Sequence, residues 1–198
     1  MARSNKPDRR RPGAARPTSS RAAGLATAPG GTASLDDAVR PRSWRDLDLH
    51  PLADATDARP LFEFAAVPCP DPSGVAFGWG AVSTDGALVA TLLAERAGRA
   101  VLLHGPLVRI DGATSADPLD LASQLVAAAL EHAAALGADT AFTRPQGLDR
   151  VWIRFGFIPV PESALPATFA GCPGVGLYGW RGGSALWSFR AGDAESAA

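Results

Sequence analysis

The 198 residues are 46% hydrophobic and 20% charged with a net charge of −1, which fits one globular domain plus a tail. No apolar run approaches the roughly 18 residues that a membrane-spanning helix needs. The longest candidate, 119–136, carries Asp120, Gln124, Glu131 and His132, so the sequence predicts a soluble protein with no membrane partner. Charge is unevenly placed. Residues 1–33 hold seven basic side chains against one acid, Asp8, and the remainder holds twelve basic against nineteen acidic. An acidic body is a poor match for a phosphodiester backbone, so no nucleic-acid partner is expected for the folded part. Cys69 and Cys172 sit in Pro-Cys-Pro and Gly-Cys-Pro without CxxC spacing, which predicts free thiols and no metal site. The start of the chain lacks the apolar core of a secretory signal, although an Arg- and Ser-bearing start also fits an organelle transit peptide. One Lys against eighteen Arg, with abundant Ala, points to a bacterium of high GC content and a cytoplasmic location.

In chain order, residues 1–33 are rich in Arg, Pro, Ser, Gly and Ala and read as a disordered basic tail. Residues 34–57 read as a transitional linker. Within it Ser34-Leu35-Asp36-Asp37 can cap a short helix, and Trp44, Leu47, Leu49 and Leu52 can pack onto the domain. The domain itself is expected over 58–190. Its first strand is predicted at 61–67, ended by Pro68 and Pro70. A meander follows: Val75–Ser83, a turn at Thr84-Asp85-Gly86, a strand at 87–95, a turn at Ala97-Gly98-Arg99, and a strand at 100–110. Residues 117–136 carry apolar side chains at helical spacing (Leu121, Leu125, Ala128, Ala129, Ala133 and Leu136, with His132 on the same face), and Gly137 stops the helix. A strand at Thr140–Thr143, a short helix at 147–155, strand segments at 157–160 and 185–190, and a disordered end at 191–198 complete the reading. The fold class is α/β in the α+β sense, with a mixed, mostly antiparallel sheet flanked by helices.

This order, together with several local phrases, resembles the GNAT superfamily of acyl-CoA-dependent N-acyltransferases. Val151-Trp152-Ile153-Arg154-Phe155-Gly156-Phe157 is similar to the family's small helix followed by Gly-Phe. Leu125-Val126 with Ala133 and Gly137 matches its long central helix, and the resemblance covers about 75–190. It implies acetyl-CoA or another acyl-CoA as co-substrate, no metal, and a small-molecule or peptide amine as acceptor. By the same resemblance Leu107 and Val108 lie where the family's fourth strand splays to admit the pantetheine arm, and Trp152 lies among the cofactor-binding positions. The family's pyrophosphate loop, Arg/Gln-x-x-Gly-x-Gly/Ala, aligns with Asp117-Pro118-Leu119-Asp120-Leu121-Ala122, so Asp117, Leu119, Asp120, Leu121 and Ala122 become candidate cofactor-binding residues.

Two departures stand out. Asp117 replaces the cation and Asp120 the first glycine, while Asp117-Pro118 makes a good helix N-cap with Asp120 completing something like a capping box. A helix start satisfied by its own carboxylates is a weakened phosphate cradle, because like charge at about 4 Å costs roughly 1–4 kcal/mol against roughly 0.3–2 from the helix dipole. The family's acid, a tyrosine four residues before the Gly-Phe glycine, is here Trp152, which leaves Tyr178 as the one tyrosine able to substitute. His104 is the candidate base, expected on one strand face with Leu102 and Pro106. The resemblance also implies two helices between the first and second strands, whereas only Pro68–Gly74 separates the segments read as those strands. An exposed edge and absent lid helices are compatible with a homodimer. Two further readings stay open: a non-catalytic GNAT-like binding or assembly module, and a Fem-like aminoacyl transferase of the tRNA-dependent cell-wall type, whose pattern His104-Gly105-Pro106 resembles.

Overall fold

The computed structural model describes residues 34–109, 116–169 and 186–191. The expected basic tail 1–33 and, of the expected C-terminal tail 191–198, all but Ala191 lie outside the described residues. Among those described, the chain orders as α1 (Leu35–Ala38), β1 (Arg42–Trp44), β2 (Leu47–Pro51), α2 (Arg59–Phe64), β3 (Val75–Ser83), β4 (Leu88–Ala97), β5 (Ala100–Val108), α3 (Pro118–Ala135), β6 (Thr140–Thr143), α4 (Asp149–Arg154), β7 (Ile158–Pro159) and β8 (Trp187–Arg190). The strands form a single sheet in the order β1-β2-β3-β4-β5-β6-β8-β7. All neighbours run antiparallel except β5 and β6, which are parallel and joined by α3 as the crossover.

The meander is where the sequence placed it, because its turns carry their own geometry. Gly86 turns the β3–β4 hairpin with φ of 84°, a conformation that glycine adopts without cost. Along these strands the side chains alternate between two apolar layers. Leu92, Ala94, Val101 and Leu103 face α3 in the main core, with Trp79 and Phe77 of β3. Leu93 and Leu107 face the other way, onto Ala58 and Phe62, while Leu102 packs with Phe142, Phe169 and Leu186. The helix presents Leu121, Ala122, Leu125, Val126, Ala128, Ala129 and Ala133 to the sheet, and its alanines permit the close approach. Its end is closed by Gly137 at φ 82°.

The N-terminal part of this architecture departs from expectation. The segment 34–57 supplies α1, β1 and β2, and β2 pairs with β3 from Leu47↔Ser83 to Pro51↔Trp79. Leu47 and Leu49 are core residues, as their spacing of two on one strand face requires. The strand expected at 61–67 is instead α2: Ala58, Leu61 and Phe62 are buried at helical spacing, whereas Glu63 and Phe64 are exposed. A short apolar run does not distinguish the two periods by itself, and Pro60 at the start of the run is what a helix first turn tolerates. Consequently the first full strand is β2, and a 3-10 turn at Ala55–Ala58 followed by α2 bridges it to β3. The helical connection that the sequence reading found missing is therefore present.

His132 lies inside the α3–sheet interface, its ring 4.2 Å from that of Phe77 and edge-on to Trp79 at 6.4 Å. Its Nδ1 has no hydrogen-bond partner among the described residues, and burial pushes its pKa below the ordinary 6.5. A base whose folded pKa is depressed contributes full stability above its unfolded value. That contribution is lost as pH falls below 6.5, where the unfolded chain takes up a proton that the folded one refuses. Urea midpoints should therefore fall between pH 7.5 and pH 5, and His132→Phe should flatten the decline; an unchanged slope in the variant would place the acid sensitivity elsewhere.

Candidate active site

β5 is nine residues long, but its parallel partner β6 accompanies only its first half. The register runs Ala100↔Thr140, Val101↔Ala141, Leu102↔Phe142 and Leu103↔Thr143 and then stops, leaving 104–108 without β6. On its other edge β5 stays paired with β4 through Val108↔Ala90, so this half keeps one partner where the other leaves. Arg109 N–H donates to Val89 O at 2.8 Å, and strand alternation therefore turns the backbone groups of Val108 toward the edge where β6 has diverged. A splay of this kind is an unpaired strip of backbone set into the middle of a sheet.

The strip is also irregular. Between Thr91↔Leu107 and Leu93↔His104 the register shifts, so that Gly105 and Pro106 stand opposite Leu92 alone. Gly105 has φ of 101°, and a Cβ placed there would sit 3.0 Å from both Thr91 O and Leu107 N. Only glycine fits this bulge.

His104 precedes the bulge and shares its sheet face with Leu102, as expected; Pro106 falls within the irregularity, so alternation does not carry through to it. Across the strand pair stands Glu95, and His104 Nε2 lies 3.2 Å from Glu95 Oε2. Both are nearly buried, at 9% and 8% exposure. With Nε2–H donated to the carboxylate, the imidazole is fixed in orientation and its Nδ1 carries the lone pair. Glu95 reaches this position through register, since it stands opposite Leu102 on the next strand. Glu63 lies exposed on α2. His50 bonds the neighbouring Pro51 O at 2.9 Å and His132 belongs to the core, so neither joins this site. Leu102, Leu103, His104, Gly105, Arg144 and Gln146 enclose a cavity of about 10 Å³ at the fork between β5 and β6.

The start of α3 is occupied by its own side chain. Asp117 accepts from Leu119 N–H at 2.9 Å and from Asp120 N–H at 3.1 Å, and its carbonyl accepts from Leu121 N–H at 2.9 Å. Asp120 does not close the capping box. Its carboxylate instead lies 3.8 Å from Arg45 in the β1–β2 hairpin and 3.8 Å from Arg154 at the end of α4. Two acids and two arginines thus meet at this helix end, and the like-charge barrier expected from Asp117 and Asp120 alone is offset. The sequence reading missed both arginines because they come from distant segments, although Arg154 stands inside the phrase that carried the resemblance.

Several predicted site residues have other duties. Leu121 and Ala122 are fully buried in the α3 core, so their side chains offer nothing to a cofactor. Trp152 is likewise buried, edge-on to Phe157 at 4.8 Å with its Nε1 unbonded among the described residues, so its side chain belongs to the core. Leu107 packs its side chain against Phe62 and Leu93, and the alternation that turns Val108 to the fork turns the backbone groups of Leu107 to β4; Leu119 is the exposed apolar residue at the mouth of α3. Tyr178 lies outside the described residues. Among the described residues no three His, Cys, Asp or Glu side chains gather to hold a metal, and no helix is long and apolar enough to cross a membrane.

No family model matches the chain, and no curated protein matches it in sequence. Solved structures do resemble it. An acetyltransferase from Streptococcus agalactiae 2603 aligns at TM-score 0.52 with 8% identity, over 75% of this chain and 100% of its own. N-acetylglutamate synthase from Neisseria gonorrhoeae, in complex with coenzyme A and N-acetyl-glutamate, aligns at TM-score 0.51 with 15% identity over 75% of this chain. The chain spans only 35% of that synthase. A GNAT-family acetyltransferase from Staphylococcus aureus Mu50 aligns at TM-score 0.45 with 15% identity, over 60% of this chain and 68% of its own. The mixed sheet with its splayed central pair is the GNAT acetyltransferase fold.

Gly105→Ala should cost about 1–3 kcal/mol, since the new Cβ meets backbone atoms on both sides in a conformation that L residues avoid. Urea unfolding would measure it. A loss below a few tenths of a kcal/mol would mean that the bulge relaxes freely.

Proposed function

We propose that the chain is an acyl-CoA-dependent N-acyltransferase that moves an acyl group, acetyl in the simplest case, from the thioester to an amine. The observation that carries this reading is the pairing of Glu95 with His104 at the fork where β5 loses β6. The thioester arm lies along the unpaired edge of β5, held by the backbone groups of Val108 in the manner of an added strand, while those of Leu107 face β4. The bulge at Gly105 brings a bare stretch of backbone against the reacting carbonyl, where an N–H can hold the developing oxyanion. His104 takes a proton from the acceptor ammonium, and Glu95 stabilises the imidazolium so formed. The amine nitrogen then attacks the carbonyl carbon and the C–S bond breaks; the proton that the nitrogen sheds as the amide forms ends on the leaving thiolate, giving the free thiol, and His104 releases its own proton to solvent. An amide and coenzyme A are the products.

At the other end of the arm, Arg45 and Arg154 are the cations available to the phosphates. Asp117 competes with a phosphate for the first N–H groups of α3. That competition favours a second reading, a binding module that retains the fold but holds acyl-CoA weakly. Calorimetric titration with acetyl-CoA separates the two: heat with a Kd at or below the millimolar range supports the transferase, and none at millimolar concentration removes it.

Two variants sharpen the assignment. His104→Ala should lower turnover about 10²–10⁴-fold with acetyl-CoA affinity unchanged, and unchanged turnover would dismiss it as the base. Asp117→Ala should cost about 0.5–2 kcal/mol of stability through the lost cap while tightening acetyl-CoA binding; weaker binding would show that the phosphates lie elsewhere.

A further inference from the structure

The fork between β5 and β6 contains a charged group that the transfer chemistry leaves unused. Arg144 follows β6 directly, on the sheet face that also carries Phe142, Leu102 and His104. It is 6% exposed, an unusual degree of burial for an arginine. Among the described residues its one partner is Glu162, which accepts from Nη2 at 2.9 Å and whose own side chain is 44% exposed. Buried Nε donates to nothing among the described residues. A guanidinium is built to grip a carboxylate with two parallel N–H groups, and here one of them is satisfied by an exchangeable surface acid while the other is left over.

The setting places this arginine beside the reaction fork. Arg144 lines the same small cavity as His104 and Gly105, the residues next to the reacting atoms in the proposed transfer. At about 10 Å³ the cavity holds no more than a water while Glu162 keeps its place. Glu162 stands on a short 3-10 turn, Glu162–Ala164, and its half-exposed side chain already borders solvent, where it can be rehydrated on leaving Arg144.

We infer that Arg144 is a recognition site for a substrate carboxylate at the reaction fork, with Glu162 as the internal carboxylate that it displaces. This inference rests on the transferase reading for its chemistry, since it makes the substrate an acid: either an amino acid as acceptor or a dicarboxylic acyl group on the thioester. The carboxylate forms a two-pronged bond to the guanidinium and so fixes the rest of the molecule beside His104. Arg144 is a binding residue in this account and takes no proton.

Calorimetry with the full chain tests it in two arms. In the first, the twenty standard amino acids and their decarboxylated amines are titrated with and without saturating coenzyme A. In the second, succinyl-CoA is compared with acetyl-CoA. A carboxylate preference of about 10- to 100-fold is expected in one arm, which identifies whether the acceptor or the acyl group carries the acid. Arg144→Gln should abolish the preference while leaving the carboxylate-free partner unchanged, and Glu162→Gln should strengthen it. No preference in either arm overturns the inference, as does equal loss of acid and carboxylate-free ligand in Arg144→Gln, or a loss in Glu162→Gln as large as that in Arg144→Gln. Failure of the transferase reading looks different: acetyl-CoA then gives no heat, whereas amino-acid binding through Arg144 survives without coenzyme A.

Discussion

Neighbouring strands joined by a hydrogen-bond ladder lie about 4.8 Å apart, so a molecule enters the middle of a sheet only where the ladder ends. In this chain it ends between Leu103↔Thr143 and the residues that follow. Everything proposed for the site depends on that termination. β5 stays paired with β4 on one side, β6 ends at Thr143 on the other, and the resulting fork turns the backbone of Val108 to the open edge and encloses polar side chains at His104 and Arg144. The apolar layers on the two faces make the arrangement rigid: α3 clamps Leu103 and Val101 from one side, and α2 clamps Leu107 and Leu93 from the other.

The electrostatics of the site divide into two ends with different logic. At the reaction end, His104, Glu95 and Arg144 are nearly buried and each has a matched partner, although the partner of Arg144, Glu162, is half-exposed. At the α3 end they are half-exposed and shared, with Asp120 between Arg45 and Arg154 at 3.8 Å each. Pairs of that length and exposure contribute about 0–1 kcal/mol and reorganise easily, which suits cations that must exchange an internal carboxylate for a phosphate. Asp117 is the conservative element, since releasing the first N–H groups of α3 means breaking two cap hydrogen bonds.

Much of the architecture was legible in the sequence, and the reasons are local. The meander shows through Asp85-Gly86 and Gly98, α3 through the spacing from Leu121 to Ala133, and the end of the short helix through Gly156. The His104 assignment also rests on alternation along one strand. What escaped was non-local. The Leu61–Phe64 run has no periodicity long enough to separate helix from strand, and β1 and β2 are short strands recognisable only by their partner β3. Glu95, Arg45, Arg144 and Arg154 are single charged residues whose meaning comes from register and crossover, and the bulge that sets Gly105 apart is a property of two strands together. Trp152 was misread for a related reason: position within the phrase suggested a cofactor contact, while packing against Phe157 makes it core.

The central claim is that the unpaired half of β5 receives an extended thioester. Amide hydrogen exchange with and without acetyl-CoA tests it most directly. The account predicts slowed exchange over 104–108, Val108 above all, while the amides of the β3–β4 ladder stay as they were. Exchange unchanged over that segment with acetyl-CoA bound, and protection arising only elsewhere, would contradict it.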